Sequence, residues 1–385
     1  MLQGKPVRVP AKAGMRQLRI GIDIHSIGSQ KAGNETYYRE LIKEMMRFSC
    51  DHSFFLYYTD PRVREQIVPT ERFRLERIRP SNSMLRIPFT LPWRLRDDRL
   101  DVFHAQFIVP PFLKCKTVTT IPDIAYEHVP EFFPARQRAM LKLLVRESAK
   151  RADHIITVSE FSKKALVETY GIHAEKITVT YEGAGEEFVP LDREKAREFL
   201  ARKYGIRDEF ILYLGRLQAR KNLVRLVESY AKARKSGLRH RLVLAGKPDS
   251  LFQPVLARIR ELKLENDIVL PGYVAAEDVP AFFNAAEVFV YISFYEGFGL
   301  PIMEAMACGT PVITSRGTSL EEVAGDGAIL VDPMDEASIE EALTRVLGDA
   351  GLRLRLGHAG LARSRQFNFK SAAEQTVAVY ERVMA

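Results

Sequence analysis

Two carboxylates eight positions apart, Glu296 and Glu304, stand in the segment VFVYISFYEGFGLPIMEAMACGTPVITS at 288–315. The strand pattern ends near Ile292 and the loop SFYEGFGL follows, with Pro301 suited to the first helical position and Gly309 to the helix stop. Glu296 is therefore expected in a loop above a strand end, and Glu304 in a short helix. Gly297 and Gly299 leave backbone N–H groups open to a ligand, and the helix N-terminus adds partial positive charge that favours a diphosphate. Carboxylates would repel a phosphate-rich ligand, so hydroxyls of a sugar ring or a ribose are their better partners. An ordinary buried helix start with one capping carboxylate is the alternative. A second pair, Arg216 and Lys221 in YLGRLQARKN at 213–222, spans a strand-to-helix turn. A planar fork and a point charge can converge there on one anion, such as a diphosphate leaving group. The competing reading is a solvated basic helix start, which suits Arg220 but fits Arg216, directly after a buried strand, poorly.

These groups need rigid elements to hold them. Strand patterns fall at 18–24, 54–58, 102–104, 117–121, 154–158 and 177–180, with helical patterns at 36–47 and 135–151. After YEGAGEEFVPLD and a charged helix at 193–204 the alternation restarts. Strands are predicted at 210–214, 241–245, 268–270, 288–292 and 311–314, with helices at 223–236, 253–263, 276–286 and 301–308. Such alternation means parallel sheets covered on both faces. The fold class is α/β: two Rossmann-like, doubly wound domains facing each other across a cleft, with ligands at the carboxyl ends of the strands. The expected division is a flexible tail at 1–14, a first domain at 15–190, a second at 191–365 and a terminal helix at 366–385. The tail is basic and Pro/Gly-rich and lacks a signal-peptide core, and Met15 offers an alternative start.

Composition agrees with this division. A chain of 385 residues with 46% hydrophobic and 28% charged residues suits two globular domains. No apolar run approaches the length of a membrane span. Cys50, Cys115 and Cys308 are too scattered for a disulfide framework or a metal cluster, which fits a reducing cytoplasmic setting. The net charge of +8 is uneven: residues 1–190 carry 30 basic and 23 acidic side chains, and residues 191–385 carry 27 and 26. Anionic membrane, nucleic acid and phosphorylated small molecules all fit that excess.

The run EGFGLPIMEAMACGTPVI, from Glu296 through Glu304, resembles the signature of retaining glycosyltransferases of the GT-B fold, family 4. By that resemblance Glu296 contacts the donor sugar hydroxyls and Glu304 binds the ribose of the nucleotide. The N–H groups around Gly297, Phe298, Gly299 and Leu300 would help hold the sugar and phosphates. Arg216 and Lys221, with Gly215 beside them, match the family's cation pair for the diphosphate. Gly272, Tyr273 and Val274, in LPGYV, match the loop that touches the base. ITVSEFSKKAL at 156–166 looks like the family's strand-to-helix turn in the first domain, where Ser159 can simply cap the helix. SLEEV at 319–323 reads two ways, as an approach to the phosphates or as a capping box of Ser319 and Glu322. Residues 367–380 would form the terminal helix that crosses back onto the first domain.

Departures from the family pattern fall in the first domain. In TIPDI at 120–124 many members carry a histidine immediately before the aspartate, where this chain has Pro122. Proline has neither an imidazole nor an N–H. His104 and His128 are the nearby substitutes, and Asp123 is the expected active-site carboxylate on the acceptor side. In AGNETY at 32–37 Gly33 can approach the donor from a loop. Asn34 and Glu35 replace the commoner hydrophobic and basic pair, which suggests an altered acceptor or donor edge.

The implied activity is transfer of a sugar from a nucleoside diphosphate to a hydroxyl of a glycan or lipid-linked acceptor, in cell-surface polysaccharide or glycolipid synthesis. Mannose from GDP-mannose is the best family match, with glucosyl or N-acetylglucosaminyl donors as the alternative. Hydrolases that retain configuration use two carboxyl groups about 5–5.5 Å apart. Nothing here resembles that nucleophile, so the resemblance implies front-face displacement, with the departing phosphate oxygen taking the acceptor proton. No cofactor and no metal are expected, because there is no Asp-x-Asp motif and the adjacent Asp97 and Asp98 read as solvated. A dinucleotide-dependent oxidoreductase would show G-x-G-x-x-G after its first strand, and this chain does not. No nucleic-acid-binding module is recognisable. The arginine-rich stretch 72–99 contains MLRIPFTLPWRLR at 84–96, which has the single tryptophan, Trp93, and no acid. Pro88 and Pro92 disfavour one continuous helix there. The stretch could dock on anionic lipid headgroups, with the enzyme cytoplasmic and peripheral on the inner face of the membrane, or be a packed loop with solvated arginines.

Overall fold

The structure is a computed structural model that describes residues 16–28, 32–48, 51–249 and 252–385. The expected tail at 1–14 and Cys50 lie outside the described residues.

The first sheet contains β1 (Arg19–Asp23), β2 (Ser53–Tyr58), β3 (Phe73–Arg77), β4 (Val102–Gln106), β5 (Lys116–Thr120), β6 (His154–Thr157) and β7 (Ile177–Val179). All pairs are parallel, in the order β3-β2-β1-β4-β5-β6-β7. The second sheet contains β8 (Phe210–Leu214), β9 (Arg241–Ala245), β10 (Ile268–Gly272), β11 (Val288–Tyr291), β12 (Val312–Ser315) and β13 (Ala328–Val331). It too is parallel, in the order β10-β9-β8-β11-β12-β13. Central strands such as Val288–Tyr291 are fully buried, so they read as continuous apolar runs rather than alternating ones.

The chain forms two compact units. The first gathers the residues up to Ile124, Pro134–Glu182 and Phe369–Ala385; the second gathers Ala125–Phe133 and Gly183–Asn368. In the first unit the terminal helix Phe369–Arg382 packs on the helix Ala32–Arg47, and Tyr380 hydrogen-bonds His104 at 2.6 Å. Among the described residues no helix is long and apolar enough to cross a membrane.

Three expectations need correction. The helix expected at 36–47 begins at Ala32, so Gly33 lies in its first turn rather than in a loop. A Cβ at Gly33 would meet nothing within 4 Å, so no crowding requires glycine there. The arginine-rich stretch is not a loop. It contains edge strand β3, and 83–97 is helical throughout: Ser83–Leu85, a π-helical turn Arg86–Thr90, then Leu91–Asp97. Pro92 is tolerated because it sits in the first turn of the last segment, and the wider π turn takes up Pro88. Arg86 is not solvated either. It is buried, and its Nη1 donates to both carboxylate oxygens of Asp23, at 3.0 and 2.9 Å.

Candidate active site

In the second sheet β8 and β11 are neighbours although β9 and β10 come between them in sequence. The connections after them run to opposite sides, which opens a crevice at their carboxyl ends. Both residue pairs read from the sequence reach this point. After β8 the chain passes Gly215, whose φ of +150° favours glycine, and leaves Arg216 exposed. A short 3-10 turn, Ala219–Lys221, leads to Asn222 at φ +61°, a left-handed position that asparagine tolerates. The Asn222 amide donates to the Pro333 carbonyl at 2.7 Å and fixes the start of the helix Leu223–Lys235. After β11 the Phe294 N–H donates to the Arg220 carbonyl at 3.1 Å, which stitches the two loops together.

This stitching sets Lys221 against Glu296. Lys221 is 7% exposed, and its ammonium donates to the Tyr291 hydroxyl at 2.5 Å and to Glu296 Oε1. Arg220 donates to the Tyr295 carbonyl and, at 3.1 Å, to the same Glu296 oxygen. Burial alone would raise the Glu296 pKa, but the Arg220 and Lys221 charges outweigh it and hold the carboxyl below its ordinary value. Glu296 is thus a buried, ionised carboxylate whose Oε1 accepts from both cations. The reading of Arg220 as a solvated helix start is overturned: its guanidinium is half-buried and belongs to this cluster. Lys221 engages the chain's own carboxylate, while Arg216 remains exposed.

The helix Leu300–Ala307 starts one residue earlier than Pro301 suggested, because Gly299 at φ +103° serves as its N-cap. Gly297, Phe298, Gly299 and Leu300 form the turn into this helix, and Glu304 is half-buried within it. The capping box of Ser319 and Glu322 is not formed. Thr318 caps that helix by accepting from the Leu320 N–H at 3.1 Å. The buried Ser319 hydroxyl instead donates to the Glu296 carbonyl at 2.7 Å. Gly272, Tyr273 and Val274 end β10 on the same carboxyl edge, with Tyr273 exposed and Val274 buried. The Gly246 N–H donates to the Gly272 carbonyl at 2.8 Å, which ties that loop to the end of β9.

The segment Ala125–Phe133 adds two contacts that no local pattern signalled. His128 stacks on Tyr295 with ring centroids 5.3 Å apart, and Phe132 stacks on Phe294 at 5.4 Å. Of the two substitutes considered for the histidine missing at Pro122, His128 therefore lies beside the residue preceding Glu296. His104 is fully buried with both ring nitrogens engaged, by Tyr380 at 2.6 Å and Thr120 at 2.7 Å. Burial pushes its pKa down to about 3, so it is a neutral core residue.

In the first sheet Asp123 follows β5 at the carboxyl edge and is half-buried. Glu35 accepts from the Gly28 N–H at 2.9 Å. Ser159 caps its helix by accepting from the Ser162 N–H at 3.1 Å. Asp98 is not simply solvated, since it accepts from the Tyr57 hydroxyl at 2.7 Å. Among the described residues no three His, Cys, Asp or Glu side chains are grouped to hold a metal ion.

Two sequence families account for most of the chain. Residues 196–363 match the profile of glycosyl transferases group 1, and residues 32–187 match that of glycosyltransferase family 4. The chain is 33% identical over 294 residues to O-antigen chain mannosyltransferase B of Escherichia coli, covering 75% of this chain and 76% of that one. The chain belongs to the group 1, family 4 glycosyltransferases. A serotype-specific mannosyltransferase of Escherichia coli, WbdA, is 30% identical over 240 residues, which are 61% of this glycosyltransferase but only 29% of WbdA. Sucrose-phosphate synthase from Thermosynechococcus elongatus superposes with a TM-score of 0.78 at 21% identity, covering 95% of this chain and 99% of that one. HepE of Anabaena in complex with UDP-glucose superposes with a TM-score of 0.73 at 18% identity, covering 94% and 99%. The glycosyltransferase has the GT-B fold.

Proposed function

We propose that this glycosyltransferase moves mannose from GDP-mannose, with retention, to a hydroxyl of a glycan or lipid-linked acceptor in cell-surface polysaccharide or glycolipid synthesis. The observation that carries the reading is Glu296, kept ionised by Arg220 and Lys221, which both donate to its Oε1. An oriented carboxylate oxygen of this kind accepts hydrogen bonds from sugar hydroxyls. Exposed Arg216 meets the diphosphate, and Lys221 adds positive field beneath it, so charge developing on the leaving group is stabilised by groups already in place. The backbone N–H groups of Gly297, Phe298, Gly299 and Leu300 hold the sugar and phosphates, Glu304 takes the ribose, and Gly272, Tyr273 and Val274 take the base. Gly215 lines the donor, and Asp123 serves the acceptor side.

In the reaction the bond between the anomeric carbon and the phosphate oxygen breaks while the acceptor oxygen bonds to the same face. The acceptor proton passes to the departing phosphate oxygen, so neither a metal nor a cofactor takes part. Similarity to the two mannosyltransferases favours mannose, whereas the UDP-glucose held by HepE favours a glucosyl donor as the second reading. Nucleoside diphosphate release from GDP-mannose, UDP-glucose and UDP-N-acetylglucosamine, with and without a chelator, tests the proposal. GDP release should be fastest and insensitive to chelation, and NMR of the product should show the donor's anomeric configuration. Release from none of the three, or an inverted product, would refute it.

A further inference from the structure

The strands of the first sheet step outward from β1 in two directions. The connections β1 to β2 and β2 to β3 move toward one edge, whereas β3 to β4, β5 to β6 and β6 to β7 move toward the other. Parallel crossovers are right-handed, so connections of opposite sense lie on opposite faces. The helix Ala32–Arg47 occupies one face, where the terminal helix Phe369–Arg382 covers it. The helical run 83–97 and the helix Ala135–Arg151 share the other. The loop after β4 packs on the helix Ala135–Arg151: the Val109 N–H donates to the Ser148 hydroxyl at 2.7 Å, and Arg151 donates to the Val109 carbonyl at 2.6 Å.

This second face is unusual in what it exposes. Leu85, Phe89 and Trp93, spaced four apart, form one outward stripe, with Trp93 69% exposed. Phe112, on the loop after β4, is 92% exposed, and Leu143 and Leu144 are exposed on the neighbouring helix. Eight of the sixteen exposed large apolar side chains among the described residues lie on these three segments. The same segments, 83–99, 107–116 and 135–151, hold twelve basic and three acidic residues, of which Arg86 is buried against Asp23, Arg94 pairs with Glu76 and Lys116 with Asp153. Arg96, Arg99, Lys114 and Arg136 meet no acidic partner among the described residues.

We propose that this face of the first sheet is a docking surface for an anionic phospholipid bilayer, with Phe89, Trp93, Phe112 and Leu143 entering the headgroup boundary and the arginines meeting lipid phosphates. Apolar tips interleaved with unpaired cations on helices lying along one face are what an anionic interface stabilises. A protein partner of ordinary composition would leave those cations unmatched. The surface extends the expected contact at 84–96 to a second helix and a loop distant in sequence. Its use rests on the proposed lipid-linked acceptor, and its geometry does not.

Trp93 is the single tryptophan, so intrinsic fluorescence reports this surface directly. The full chain is titrated with large unilamellar vesicles of phosphatidylcholine alone and of phosphatidylcholine with phosphatidylglycerol at about 3:1, with co-sedimentation in parallel. The anionic vesicles should blue-shift Trp93 emission and pellet the protein, high salt should weaken both, and pure phosphatidylcholine should do neither. Leu143→Ser with Leu144→Ser should lower vesicle partitioning at least about tenfold, because the second helix shares the face. Unshifted emission with anionic vesicles, or partitioning unchanged in that double variant, would overturn the proposal. So would a stable dimer in buffer whose Trp93 emission is already blue-shifted. GDP release from GDP-mannose without vesicles, measured on the same samples, fails only with the donor reading and separates the two outcomes.

Discussion

Ser319 donates its hydroxyl hydrogen to the carbonyl of Glu296 across 2.7 Å, joining the helix after β12 to the loop after β11. Both groups are buried, so this bond fixes the backbone that carries the candidate donor-binding carboxylate. A buried acceptor left without its donor costs about 1–3 kcal/mol, and here the loop can shift to recover it. Ser319→Ala should therefore lower kcat by about tenfold or more while the protein stays folded. Steady-state kinetics beside a thermal melt check this, and activity within twofold of the parent would show that the bond does not position Glu296.

Glu296 and Lys221 should respond differently to neutralisation. Glu296→Gln keeps the shape but leaves the buried Lys221 ammonium and the Arg220 guanidinium without their carboxylate, so stability should fall by about 3 kcal/mol while kcat/KM falls about 100-fold or more. Lys221→Met leaves Arg220 facing Glu296, so stability should fall by only about 1 kcal/mol along with activity. Urea unfolding paired with kinetics separates them. Equal stability loss in both variants would contradict the pairing.

Arg86 and Asp23 should behave as a buried ion pair. Burial raises the Asp23 pKa, yet His25 and Arg86 outweigh that effect and hold the carboxyl far below its ordinary value. Arg86→Met leaves His25 as the carboxylate's remaining partner and should cost about 3 kcal/mol, and adding Asp23→Asn should recover much of that. A loss under about 1 kcal/mol in urea unfolding would show that the pair is solvated.

His104 should make stability fall with acid. Its folded pKa of about 3 lies below the unfolded value of about 6.5, so the native state holds it neutral. The unfolded chain therefore binds the extra proton. The stability is fully present above about pH 6.5 and is lost as the pH falls toward 3. Between pH 7 and 5 the His104 share is about 2 kcal/mol. Burial, aided by Arg382, Lys176 and Lys163, pushes His154 down to about 4, and it adds a loss of the same sign. His104→Gln should lose its share of the slope in urea melts at the two pH values. An unchanged slope would mean that His104 can charge in place.

Local sequence was sufficient for eleven of the thirteen parallel strands, all but β3 and β13, and for the loops that carry Glu296 and Arg216. Continuous apolar runs, amphipathic spacing and Gly/Pro punctuation are properties of a few neighbouring residues, and each survives folding unchanged. Edge strand β3, with two arginines and a glutamate in five residues, lacks that signal and was hidden in an arginine-rich stretch. The partners of each side chain belong to another class of information. Arg86 with Asp23, Lys221 with Glu296 and Ser319 with the Glu296 carbonyl join positions 63, 75 and 23 apart. Those distances collapse only when parallel crossovers bring β8 beside β11, and Arg86 back to the end of β1. The alternation of strands and helices determined the doubly wound sheets. Tertiary structure decided which arginines are buried, which cations face a carboxylate and which apolar side chains remain on one open face, because burial and pairing depend on neighbours that the chain brings from afar.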